Sequence, residues 1–348
     1  MSDKIFALPL IVVALAGCQS TTQVSDAPVF TLDETQHASH EVYVKQFESA
    51  VAFNTHAQLL EESIGQYCEA SAYSIDEVKL QWHQTMLAWM ALQGQERGPA
   101  EALQESWNIQ FWPDKKNTTG LKMSQLTRQD KTWTQAEIAQ QSVTVQGLGA
   151  LEWMLYDAQS PLLSDKDKGC RSAIAISQNL SLKSTNIADA WQVNPWVALD
   201  ESRWESEYVA LLTNQLDYSM KKLSRPLANI GKPRPYFAES WRSETSLVQL
   251  KANIQAMQSL YLADGQGLDN ILRERELNDL ADRVKSQFEY TLASWPNESS
   301  LFSMLQSKEG YRNVLSQYNK LERLKYLIHE EVAIELGIVI GFNATDGD

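Results

Sequence analysis

The stretch with the most chemical potential is Gln146-Gly147-Leu148-Gly149-Ala150-Leu151-Glu152-Trp153-Met154-Leu155-Tyr156, an apolar run holding two glycines and one carboxylate. Inside a helix each glycine costs about 1 kcal/mol relative to alanine, so the pair marks a close helix contact or a backbone approached by a ligand. Glu152 follows Gly149 by three residues and shares its helical face, which makes a carboxylate opposite a glycine gap a lining for a small polar pocket. Close packing of two helices, with Glu152 held by a structural partner, accounts for the same pattern equally well. The five histidines are His37, His40, His56, His83 and His329. None sits in a metal-binding helix motif, and His329-Glu330-Glu331 reads as an exposed helix face as readily as a ligand set. His-Glu-x-x-His, Gly-x-Ser-x-Gly, P-loop and dinucleotide fingerprints are all missing.

The elements that must position Glu152 are helices. Apolar residues recur at helical spacing through nearly every long segment, and the spacing predicts an all-α protein. A first helix is expected over about 41–69. A second opens at the capping box Ser74-Ile75-Asp76-Glu77, with Val78, Trp82, Met86, Trp89 and Met90 on one face, and is broken at Gly98-Pro99. A helix from about Ala100 carries Leu103, Trp107 and Ile109 and stops at Phe111-Trp112-Pro113-Asp114. Lys115 to Asp130 reads as a polar loop. The capping box Thr134-Gln135-Ala136-Glu137 opens a helix to about Tyr156, and another spans about 170–191. The second half repeats this grammar over about 201–223, 245–262, 276–294 and 309–336, punctuated by Pro226, Pro233, Pro235, Gly265, Gly267 and Pro296. Two packed helical bundles, residues 41–195 and 196–348, are the simplest way to bury these stripes.

At the N-terminus an apolar run from Ile5 to Ala16 ends in Leu15-Ala16-Gly17-Cys18, a lipobox. Twelve helical residues rise about 18 Å, short of a hydrocarbon core of roughly 30 Å, so residues 1–17 read as a lipoprotein signal peptide rather than a permanent span. Cys18 is the expected lipidation site, which makes the membrane a partner through its acyl chains. Gln19 in the next position points to the periplasmic side of the outer membrane. Residues 18–40, polar and rich in Ser, Thr, Asp and Gln, read as a tether. Cys68 and Cys170 remain, and an oxidising compartment makes them a disulfide pair, with two buried thiols as the alternative.

The formal net charge is −14, with basic residues scattered rather than striped, which argues against nucleic acid as a partner. Eleven tryptophans, among them Trp107, Trp112, Trp241 and Trp295, are mostly core by their helical spacing, though flat exposed rings would suit a glycan or protein partner.

Several segments, taken in order, resemble the imelysin-like family of bacterial envelope proteins, which includes insulin-cleaving membrane peptidases, iron-regulated proteins and components of iron uptake. Gly147, Gly149 and Glu152 correspond to its Gly-x-His-x-x-Glu signature. Phe111-Trp112-Pro113-Asp114-Lys115-Lys116-Asn117 is similar to a loop of the lipoprotein branch, as are Glu239-Ser240-Trp241-Arg242-Ser243 and Gly341-Phe342-Asn343-Ala344-Thr345-Asp346-Gly347-Asp348. The resemblance implies two helical bundles with a ligand site in the cleft between them. It nominates Gly147, Gly149, Glu152, Trp112, Asp114, Trp241, Arg242, Asn343 and Asp346 as site residues, with Asp348 a further oxygen donor and Glu152 a weak metal ligand. It also brings in iron or another divalent cation as cofactor, a small ligand or metal complex as partner, and other envelope proteins. The signature histidine is Gly149 here. A zinc peptidase needs about three protein ligands and an activated water, so the expectation is a non-catalytic binding protein linked to iron or metal uptake. A metallopeptidase and a polysaccharide- or partner-binding lipoprotein are the alternatives.

Overall fold

The structure, a computed structural model, describes residues 35–69 and 73–338. Cys18, Asn343, Asp346 and Asp348, with the signal peptide and most of the tether, lie outside these residues. The described residues contain no β-strand, and the protein is all-α as its periodicity predicts.

In chain order the α-helices are α1 (His40–Glu69), α2 (Ile75–Trp89), α3 (Ala100–Gln104), α4 (Ser106–Ile109), α5 (Thr118–Thr127), α6 (Gln135–Ala139), α7 (Gly147–Tyr156), α8 (Pro161–Ser164) and α9 (Lys166–Ala190). There follow α10 (Glu201–Leu227), α11 (Ser246–Leu262), α12 (Leu268–Glu274), α13 (Asn278–Ala293), α14 (Leu301–Met304), α15 (Lys308–Lys325) and α16 (Ala333–Glu335), with a π-helical stretch over Tyr326–Val332. Both capping boxes form: Ser74 Oγ accepts from the Glu77 amide and Thr134 Oγ1 from the Glu137 amide, each glutamate reaching back to the cap amide.

Two expectations are corrected. The helix anticipated from Thr134 to Tyr156 is broken: α6 ends at Ala139, the β-branched run Val143–Val145 forms a 3₁₀ turn, and α7 starts afresh at Gly147 with φ of 64°. The segment read as a loop, Lys115 to Asp130, carries α5. Its first turn is held from outside, since Asp114 Oδ1 accepts from the Thr118 amide at 2.6 Å and Oδ2 from the Thr119 amide at 2.9 Å. Met123 and Leu126 then supply the buried face.

In the first half α9 lies against α1, α1 against α2, and α7 touches both α2 and α9. In the second half α10 packs on α11 and α15, and α13 lies against α11 and α15. The halves share one apolar core, crossed by contacts of α11 with α1 and α2. Their connection is buried as well. Trp191, Trp196, Trp204 and Tyr208 form a chain of rings at centroid separations of 5.5, 5.2 and 5.0 Å, and Tyr43 on α1 donates its hydroxyl to the Trp191 carbonyl at 2.9 Å. His37, in the segment read as tether, donates from Nε2 to the Leu199 carbonyl at 2.8 Å, so the chain is docked before α1 begins.

Cys68 and Cys170 are joined in a disulfide, as the compartment argument predicts. It ties the last turn of α1 to the first turns of α9. No described helix is long and apolar enough to cross a membrane.

Candidate functional site

Glu152 sits on α7, buried, with its carboxylate turned toward the connection between α10 and α11. Its Oε1 accepts three hydrogen bonds from that connection: from the Arg242 amide at 3.1 Å, the Ser243 amide at 2.9 Å and the Ser243 hydroxyl at 2.9 Å. Burial pushes the carboxyl above the ordinary glutamate range. The Ser243 hydrogen bonds and the positive charge of Arg242 oppose that shift, and the charge of Glu239 adds to it. Tyr156, one turn further along α7, is pushed up to about 12, chiefly by burial and then by Glu152.

Arg242 is fixed from three sides. Its Nε donates to Asp157 Oδ2 at 2.9 Å, an Nη donates to Asn117 Oδ1 at 2.5 Å, and its guanidinium stacks 4.3 Å from the Trp241 ring centre. Beside it Tyr236 meets both Trp241 and Phe302 edge-on at 4.9 Å.

Beneath this lies a charged pair with almost no solvent contact. Lys222 on α10 and Glu239 are 2.7 Å apart and 3% and 4% exposed. Glu239 Oε1 also accepts from Gln93 Nε2 at 2.7 Å and Gln110 Nε2 at 3.2 Å, and Lys222 donates to Gln93 Oε1. Desolvation pulls the Lys222 ammonium below the usual lysine range, with Glu239 opposing it.

Between these groups is a small cavity of about 30 Å³, which is space for on the order of one or two water-sized guests. Trp112, Asp114, Gly149, Glu152, Trp241 and Arg242 all line it, so six of the nominated residues from three distant stretches meet in one place. Gly147 does not line it. A Cβ there would lie 2.2 Å from the Ile109 carbonyl oxygen, so this glycine serves close backbone packing. Gly149 faces Gln110, whose Oε1 would be 3.3 Å from an added Cβ. That Oε1 and the Ser240 hydroxyl are buried, have no hydrogen-bond partner, and belong to residues lining the cavity.

Sequence reasoning does not single out Ser243, Gln110, Glu239 or Lys222 as site residues. Ser243 and Glu239 fall in the quoted Glu239–Ser243 run, and Gln110 immediately precedes the Phe111–Asn117 run. These positions are the only available signal. Lys222 carries none.

The donor set does not fit a directly bound divalent ion. Glu152 Oε1 is taken up by three protein donors, both Asp114 oxygens cap α5, and Glu239 is neutralised by Lys222. Among the described residues no three His, Cys, Asp or Glu side chains converge as a metal site. Besides the second oxygen of Glu152, the cavity offers neutral polar atoms, the Gln110 carbonyl and the Ser240 hydroxyl, beside a fixed guanidinium.

The family model for imelysin (peptidase M75) matches residues 47–328, and the chain belongs to that family. Two solved structures share its fold. One is an imelysin-like protein from Psychrobacter arcticum 273-4, at 20% identity and a TM-score of 0.73, covering 91% of this chain and 99% of that one. The other, provisionally named an iron-regulated protein A precursor from Parabacteroides distasonis ATCC 8503, gives 12% identity and a TM-score of 0.68 over 88% of this chain and 97% of that one. No curated protein matches.

Proposed function

We propose that this member of the imelysin family is a non-catalytic binding protein of the bacterial cell envelope, lipid-anchored through Cys18 and linked to iron or metal uptake. Its ligand site lies in the cleft around Glu152. The observation that carries the non-catalytic reading is the engagement of Glu152 Oε1 by three donors of the 242–243 backbone and side chain. A carboxylate used in this way clasps two parts of the chain together, and with Gly149 in place of an imidazole the site lacks the ligands that would activate a water. The Gln110 carbonyl and Ser240 hydroxyl are what it presents to a small polar guest. The link to iron is supported by the name of the Parabacteroides relative and by family membership. It is a role in handling an iron-bearing or accessory molecule, not ligation of the ion by Glu152.

Two measurements test this. Uptake of radiolabelled iron by source cells lacking the protein should fall and return on complementation. Calorimetric titration of the purified chain with Fe²⁺, Zn²⁺ and Ca²⁺ should show no tight stoichiometric site. Tight ion binding abolished by Glu152→Ala, or chelator-sensitive cleavage of a denatured protein substrate, would replace this reading with a metal centre or a metallopeptidase.

A further inference from the structure

Behind Gln110 and Trp112, which wall the Glu152 cavity on one side, lies a second and larger cavity of about 300 Å³. That is the low end of the range for small-molecule sites, about 300 to 1,000 Å³. It opens to solvent where the exposed side chains of Glu96 and Trp107 line it, Trp107 being 54% exposed. Four aromatic residues, Trp89, Trp107, Trp112 and Tyr218, contribute to its walls. Gly94 keeps one wall open: with φ of 88°, it would place a Cβ 2.6 Å from Cβ of Tyr218.

The polar groups of this cavity are unevenly used. The Trp112 indole N–H is committed to the Phe237 carbonyl at 3.0 Å, and the Gln93 amide to Glu239 and Lys222. Two others have no partner: the Trp89 indole N–H, on a side chain 3% exposed, and the Gln110 carbonyl oxygen, on one 6% exposed. One is a donor only and the other an acceptor only. Leaving such groups buried and unpaired costs on the order of 1–3 kcal/mol each, which a guest presenting both an acceptor and a hydroxyl donor would remove.

The charge pattern narrows the guest. Glu96 is the only ionised side chain among the lining residues, so nothing there holds an anion. A cation would normally seek the aromatic faces, but two are already occupied from outside the cavity: Lys222 Nζ lies 5.4 Å from the Tyr218 ring centre and the Arg225 guanidinium 5.9 Å from that of Trp112. A purely apolar ring would leave the Trp89 and Gln110 groups unsatisfied. What remains is a neutral molecule with a flat C–H face and a rim of hydroxyls.

We propose that this cavity binds a single neutral pyranose residue, stacked on Trp107 at the mouth and hydrogen-bonded by Trp89 Nε1, Gln110 Oε1, the Ser106 hydroxyl and Glu96. The site adjoins the Glu152 cavity and shares the Gln110 side chain with it, but Glu152 itself does not line it and the sugar reading does not rest on a role for that carboxylate.

The test is titration of the purified full chain in detergent with glucose, galactose and N-acetylglucosamine, read by tryptophan fluorescence and by saturation-transfer NMR. Saturable millimolar binding of at least one sugar is expected. Trp107→Ala, at an exposed ring, should weaken it by about tenfold or more, and Ser106→Trp, which fills the cavity, should abolish it. Both variants should keep the wild-type circular dichroism, and Glu152→Gln should bind as wild type. Silence toward all three sugars overturns the proposal, as does binding that neither variant weakens. Preferential binding of tetramethylammonium or benzoate would assign the cavity to a different ligand class and equally overturn it.

Discussion

Glu152 and Ser243 are joined twice through one oxygen, Oε1 accepting from both the amide and the hydroxyl of Ser243 at 2.9 Å. The pair pins the α10–α11 connection onto α7. Replacing Glu152 by Ala leaves the half-buried Arg242 and Ser243 amides without their acceptor, at about 1–3 kcal/mol per group unless relieved, while the Ser243 hydroxyl can turn to the Ser240 carbonyl at 3.1 Å. A loss of about 2–3 kcal/mol in unfolding free energy is therefore expected, read as a lower urea midpoint. Glu152→Gln retains a carbonyl oxygen at that position and should lose less than half as much.

The same carboxyl gives a signed pH effect. Its folded-state pKa lies above the ordinary value of 4.5 because it is buried, so between those two values the folded chain binds more protons than the unfolded one. Stability contributed by Glu152 is then fully present below about pH 4.5 and is lost as pH rises through the folded pKa. Urea midpoints taken from pH 4 upward should show wild type losing ground relative to Glu152→Gln with increasing pH. A difference between the two that stays flat or grows in favour of wild type would remove burial as the dominant influence on this group.

The two signature glycines should respond differently to alanine. Gly147, with φ of 64° and a carbonyl 2.2 Å from any Cβ, combines left-handed strain with overpacking. Gly147→Ala should destabilise by about 2–4 kcal/mol. Gly149 has ordinary helical φ and meets only the end of the Gln110 side chain at 3.3 Å. There the helix-propensity gain of about 1 kcal/mol offsets the tight contact, and thermal melts should place Gly149→Ala near wild type.

Lys222 and Glu239 should behave as a unit. Lys222→Met alone strands a buried carboxylate and is expected to cost about 3–5 kcal/mol, whereas Lys222→Met with Glu239→Gln should recover most of that loss. A double-mutant cycle on denaturant midpoints measures the coupling.

Breaking the Cys68–Cys170 disulfide opens a loop of 102 residues. Cys68→Ser with Cys170→Ser should cost about 2–5 kcal/mol, seen as a lower midpoint for wild type in reductant that the double variant does not share.

The helical class and the long helices are legible in the sequence because their apolar stripes repeat over many turns, and both capping boxes mark their starts correctly. What defeats the reading is held from a distance. Helix α5 looks like polar loop because its first turn depends on Asp114, outside the helix, and its buried face is only a few residues wide. The break before α7 turns on the positive φ of Gly147, which the propensity of its neighbours does not reveal. At the site, Glu152 stands out as a carboxylate in an apolar run with glycines. Ser243, its partner, comes from 91 residues further along the chain. Lys222 and Glu239 look like ordinary surface charges, since only the packing of α10 against the segment after α2 takes them out of water.

The ring chain from Trp191 through Trp196 and Trp204 to Tyr208 bears on how any guest gets in. Proteins that close on a ligand like a flytrap flex at a thin, solvated hinge. Here the chain's crossing from α9 to α10 is locked by buried, mutually packed rings and by Tyr43, and bending it would expose several large rings to water at once. The proposed cleft would therefore act as a preformed receptacle. Entry then falls to local movement of exposed side chains such as Trp107, and the free and occupied forms should share one outline.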